Sequence, residues 1–99
     1  MKITYGIIVL NGDFLLRQVL ESIYDSAHAI CIAEGSVSYW NNQGVKNSTD
    51  DTLKIIKEFP DKENKIKLIS GTWKEKTEQC QAWFNLVPND TDYVWCVDS

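Results

Sequence analysis

Ninety-nine residues, 43% of them hydrophobic and 11% aromatic, suit one small domain with a real core. The net charge is −4 with no basic run, which excludes the electrostatic footprint of a nucleic-acid binder. No stretch reaches the roughly 18 consecutive apolar residues of a membrane helix, and the start, Met1-Lys2-Ile3-Thr4-Tyr5, lacks a small-residue cleavage site, so a cytoplasmic protein is expected.

Lys2 to Leu10 is nearly continuous apolar sequence rich in Ile and Val. Its shortness and the Asn11-Gly12 turn after it favour a strand buried on both faces. Asp13 is a plausible N-cap. Leu16, Val19, Leu20 and Ile23 then recur at helical spacing, with Phe14 and Leu15 widening the stripe, which predicts a helix from about Phe14 to Tyr24.

Ala27 to Ala33 reads as the second strand, ending at Glu34-Gly35-Ser36. His28, the single histidine, lies at the start of that strand, far from the end where ligands bind, and reads as structural. Val37 to Asn47 is polar and turn-rich, a loop with Tyr39 and Trp40 as packing anchors. Ser48-Thr49-Asp50-Asp51 opens a second helix, with Ser48 or Thr49 as cap and Leu53, Ile56 and Phe59 as its stripe. Pro60 ends it.

Asp61 to Lys65 is a charged turn. Ile66, Leu68 and Ile69 alternate partly with Lys65 and Lys67, which predicts an edge strand near 65–70. Ser70-Gly71-Thr72-Trp73 follows as a loop. Thr77 starts a third helix, with Cys80, Trp83, Phe84 and Val87 at i, i+3, i+4 and i+7, and Pro88-Asn89-Asp90 stops it. The last strand is expected near residues 92–98.

Strands and helices in strict alternation predict an α/β fold: a Rossmann-like three-layer α/β/α domain over residues 1–99, with four parallel strands in spatial order 3-2-1-4. Ligands in such sheets bind beyond the carboxyl ends of the strands, at the switch point beside the first strand. Leu10-Asn11, Glu34-Gly35-Ser36, Gly71-Thr72 and Asp98 map to that one rim. A carboxylate at Glu34 can accept hydrogen bonds from a base or ribose, and Gly35 permits close backbone approach. Asp98 can meet a ribose or a hard cation. The loop after the first strand has one glycine, so it carries neither a G-x-G-x-x-G nor a Walker pattern.

Cys31, Cys80 and Cys96 are odd in number and show no C-x-x-C spacing. They are expected to be free thiols, Cys31 and Cys96 in buried strands and Cys80 on a helix's apolar face. The two N-x-Thr sequons, at Asn47 and Asn89, read as chance matches without a secretory signal.

Together these residues resemble the nucleotide-binding half of a family 2-type glycosyltransferase with the GT-A fold. Asn11, Leu16, Leu20, Ser22 and Ile23 fit the style of that family's first helix. Glu34-Gly35-Ser36 resembles its Asp-Gly-Ser, with the continuation at Ser48-Thr49-Asp50-Asp51-Thr52. Lys76, Gln79, Cys80 and Gln81 lie on a Lys-x-x-Gln-Arg-Asn pattern, with Arg and Asn replaced. Asp98-Ser99 matches the first two positions of Asp-x-Asp.

The resemblance implies binding of a nucleoside diphosphate sugar through Leu10, Asn11, Glu34, Gly35, Ser36, Lys76, Gln79 and Asp98, for metal-assisted transfer to an acceptor. Asp98 would be the metal ligand, with Mn²⁺ or Mg²⁺ as cofactor. It also implies that the acceptor half and its catalytic base are absent, leaving these 99 residues inactive alone and no catalytic residue to name. The alternatives are a non-catalytic nucleotide-binding or assembly module, which could form a homo-oligomer through an exposed sheet surface, and another nucleotide-binding enzyme such as a nucleotidyltransferase.

Overall fold

A computed structural model describes residues 1–37, 44, 48 and 50–98, with backbone only at 13, 14 and 98. The elements run β1 (Ile3–Val9), α1 (Asp13–Ile23), β2 (Ala27–Val37), α2 (Thr52–Glu58), β3 (Ile66–Trp73), α3 (Lys76–Phe84) and β4 (Tyr93–Asp98). All strand pairs are parallel, in the order β3-β2-β1-β4. This is the expected topology, with β1 and β2 central.

The alternation of side chains along the strands divides the core into two layers. On one face, Ile7, Val9, Ile30 and Ile32 meet Leu16 and Leu20 of α1 and Ile56 of α2, with Phe59 just beyond it. On the other, Cys31 and Ala33 meet Trp83 of α3. Helices therefore cover both faces of the central strands, and the result is three layers.

Several expected boundaries shift. β2 does not stop at Glu34: Glu34, Gly35, Ser36 and Val37 pair with Ser70, Gly71, Thr72 and Trp73, so the loop expected at 70–73 is strand. Gly35 makes this extension possible. Its φ is +140°, and a Cβ there would overlap the Gly71 carbonyl oxygen. α1 begins at Asp13, with Gly12 rather than Asp13 in the N-cap position, and Leu15 is 43% exposed instead of widening the stripe. Asp51, not Ser48, precedes the first turn of α2. The caps expected at Thr49 and the anchors at Tyr39 and Trp40 lie outside the described residues.

The inner face of α3 is also rotated from its expected stripe. Gln79 and Trp83, one turn apart, are its buried residues, whereas Phe84 is 52% exposed. The cause is Gly6. With no side chain on that β1 residue, the Trp83 indole settles against the strand backbone in the space a Cβ would need.

β4 is the exposed edge. Tyr93 and Trp95 are 59% and 64% exposed, and Cys96 is exposed as well, contrary to the expected buried strand. Two polar clusters tie down the amino ends of the strands and the turn after α2. Asp90 accepts hydrogen bonds from Lys2 Nζ at 2.9 Å and lies 2.8 Å from His28 Nε2. Asp61 accepts the Tyr24 hydroxyl at 2.6 Å and the backbone N–H groups of Lys65 and Ile66. Burial alone would push the Asp61 carboxyl up, but these hydrogen bonds outweigh it and hold the group below its ordinary value.

Candidate functional site at the carboxyl ends of β1 and β2

Parallel strands bring their carboxyl ends to one side of the sheet, and each following helix starts there. Here Val9 sits beside Glu34, and Ile8 sits beside Asp98, so the ends of β2, β1 and β4 share that rim in register. Gly35 and Ser36 continue it next to Gly71 and Thr72. The positions singled out in the sequence at 10–11, 34–36, 71–72 and 98 therefore do converge along one edge.

Glu34 is the chemical centre of this rim. It is completely buried, on the sheet face that carries α1 and α2. Its Oε2 accepts the Ser48 backbone N–H at 2.6 Å, a short charge-assisted hydrogen bond. Ser48 in turn accepts the Asn11 backbone N–H on its Oγ at 3.0 Å. One residue thus links the end of β1 to the acid of β2.

A second chain of hydrogen bonds runs alongside. Asn11 holds the left-handed conformation with φ 52°, a geometry that Asn tolerates better than most residues. Its Oδ1 accepts the Asp50 N–H at 3.3 Å. Asp50 Oδ1 accepts both the Thr52 hydroxyl and the Thr52 N–H, the latter at 2.9 Å. Thr52 Oγ1 then accepts the Gly12 N–H at 3.0 Å, fully buried. The turn after β1 and the approach to α2 are thereby fastened together by side chains on both sides.

Ser48, Asp50 and Thr52 fasten this rim, whereas the sequence offered Ser48 as a helix cap, Asp50 as an acid at the helix start and Thr52 only as part of the family resemblance. The signal that locates them is topological. α1 and α2 both begin at the carboxyl rim, so a polar run before α2 faces the turn before α1.

On the opposite face, Gln79 is buried and its Nε2 donates to the carbonyl oxygens of Ala33, at 3.0 Å, and Gly35, at 3.2 Å. Lys76, in the same first turn of α3, is exposed. Leu10 is half-buried beside the rim. Ser36 Oγ is buried without a hydrogen-bond partner among the described residues. Among those residues no group of three or more His, Cys, Asp or Glu side chains comes together to hold a metal ion.

Comparison with known proteins returns no match: no family model, no curated protein and no solved structure is similar to this chain. No helix among the described residues is long and apolar enough to cross a membrane.

Proposed function

We propose that this chain is a GT-A-type domain that binds a nucleoside diphosphate sugar at the carboxyl rim of β1 and β2, in support of sugar transfer to an acceptor. The observation that carries the reading is the placement of Glu34. It is a buried carboxylate at the end of a central parallel strand, bonded to Ser48 and through it to the turn after β1. Rims of this type hold nucleosides because strand ends present backbone groups and one acid to a base or ribose. Glu34 accepts from the nucleoside, Leu10 and Asn11 line the base, and Gly35 and Ser36 continue the floor. Lys76, solvated at the start of α3, is the cation for the diphosphate.

A divalent ion, Mg²⁺ or Mn²⁺, would be held by Asp98 together with the diphosphate oxygens, and when bound it would supply positive charge opposite the departing diphosphate. The chain's own contribution is to bind and orient the nucleoside. Titration of ¹⁵N-labelled protein with uridine diphosphate and guanosine diphosphate, with and without Mn²⁺, tests this. The expected shifts centre on residues 10–12 and 34–36. Shifts confined to residues far from this rim would contradict the assignment.

A second reading, an assembly module, draws on β4. Tyr93, Val94 and Trp95 are consecutive and exposed, so large side chains on both faces of the edge strand face solvent. Contiguous exposed apolar surface of this kind marks interaction sites. A molar mass that doubles with concentration, together with no nucleotide response, favours that reading over the first.

A further inference from the structure

We infer that Gln79 is a positioning residue for the nucleoside site, fixing the direction in which Glu34 leaves β2 rather than touching the ligand itself; the inference rests on the nucleoside reading above. β2 outruns its neighbour. β1 ends at Val9, opposite Glu34, while β2 continues to Val37. The Gly35 carbonyl lies beyond the last β1–β2 pair, Val9 and Glu34, while Ala33 is still paired with Ile8. Buried backbone carbonyls need a donor, and β1 has already turned away into Asn11 and Gly12.

The primary amide of Gln79 supplies it. One side-chain nitrogen carries two N–H donors, and both carbonyls it meets, Ala33 and Gly35, flank Glu34 in sequence. The Ala33 carbonyl belongs to the peptide that enters Glu34 and the Gly35 carbonyl to the peptide that leaves Gly35, so Gln79 spans the two-residue step from which the Glu34 Cα–Cβ bond projects. Gly35 makes such a device necessary, because its φ of +140° is open to glycine and an unrestrained glycine there has other conformations to choose from.

Gln79 is itself held in place. It is buried, and Trp83, one turn further along α3, is locked against Gly6 of β1. The helix therefore registers the amide against the strand ends through two contacts one turn apart. Glu34 then projects to the other face of the sheet, where the Ser48 N–H meets it. Gln79 and the Glu34 carboxylate work from opposite faces of one strand. A ligand on the Glu34 side meets the effect of Gln79 without meeting Gln79.

The test combines a variant with a measurement on the unaltered protein. Gln79→Met keeps the length of the side chain and removes both donors. The Ser48 amide proton, bonded to Glu34, reports the position of the carboxylate by NMR. The expected result is a folded variant, by far-UV circular dichroism, whose Ser48 amide resonance moves and whose uridine diphosphate affinity falls about tenfold, the size of one charge-assisted hydrogen bond. An unchanged Ser48 resonance and unchanged affinity overturn the inference. If wild-type protein binds neither uridine nor guanosine diphosphate, the functional reading fails, and the Ser48 resonance in Gln79→Met still decides the positioning role. If the variant does not fold, the Gln79 side-chain NH₂ protons of wild type decide it. They show no nuclear Overhauser effect to bound uridine diphosphate if Gln79 stays on the Ala33 and Gly35 carbonyls and positions Glu34, and show one if it contacts the ligand.

Discussion

Trp83 and Gly6 form a matched pair. The indole lies across the backbone of β1 at the one position where a Cβ would collide with the ring, and so seats α3 on the sheet. Gly6→Ala is expected to destabilise the fold by about 1–3 kcal/mol, the usual cost of overpacking. Trp83→Ala is expected to cost about 3–5 kcal/mol by leaving a cavity. Because both act through one contact, Gly6→Ala combined with Trp83→Leu should cost less than the sum of the two single changes. Urea denaturation of the four proteins measures this. Strict additivity would show that the two residues are independent.

Gly35 and Gly71, paired neighbours on β2 and β3, should respond unequally to the same change. Gly35→Ala forces a side chain into a φ of +140° and into the Gly71 carbonyl. A loss of at least about 1–3 kcal/mol is expected, with hydrogen-exchange protection lost along residues 34–37. At Gly71 a Cβ meets only the Trp73 ring, at 3.5 Å, an ordinary contact. Gly71→Ala should remain within about 0.5 kcal/mol of wild type. Equal effects at the two positions would refute the account of the β2 extension.

The strand order, the seven elements among the described residues and the convergence of residues 10–11, 34–36 and 98 on one rim were legible in the sequence. Apolar runs and helical periodicity report local structure, and alternation then restricts topology to a few choices. What stayed illegible depends on contacts between distant residues. The pattern of α3 favoured Phe84 over Gln79, because periodicity weighs polarity and cannot see two β2 carbonyls that accept from a side-chain amide or a glycine on β1 that makes room for an indole. Ser48 read as a cap because capping is the commonest local use of a hydroxyl before a helix, and Thr52 was given no local role. Their actual partners, Asn11 and Gly12, lie 37 and 40 residues away. Cys96 looked buried because its strand is apolar, and edge exposure is a property of the sheet.

Acid should loosen the amino-end cluster. Hydrogen bonds from Lys2 and His28 depress the Asp90 carboxyl to about 2, from an ordinary 3.8. A group whose folded pKa is lowered contributes stability above its unfolded pKa and loses it as pH falls through the folded value. The Asp90 contribution should therefore be intact above about pH 4 and fade between about 4 and 2. Thermal melts of wild type and Asp90→Asn across pH 2–6 check this, and the variant should show the shallower loss over that window. The Asp90 side chain is largely solvent-exposed, so the difference should be modest and should shrink in high salt.

The three cysteines should react on separate timescales. Cys96 is exposed, Cys80 is half-buried, and burial pushes the Cys31 thiol up to about 11. A thiol-specific reagent acts on the thiolate, so native protein should show one fast thiol, lost in Cys96→Ala, and a Cys31 that reacts only on unfolding. Denatured protein should titrate three. A fast phase that persists in Cys96→Ala would show that β4 is covered.

The central claim, that Glu34 anchors a nucleoside at the rim of β1 and β2, is tested most directly by the uridine diphosphate affinity of Glu34→Gln. This change keeps an oxygen for the Ser48 N–H and removes the charge, so the fold should survive with a near-native melting temperature. The account predicts an affinity loss of about 10- to 150-fold, the equivalent of about 1.5–3 kcal/mol for a hydrogen bond to a charged group. Wild-type affinity in Glu34→Gln, with binding instead abolished by Asp98→Ala, would contradict it.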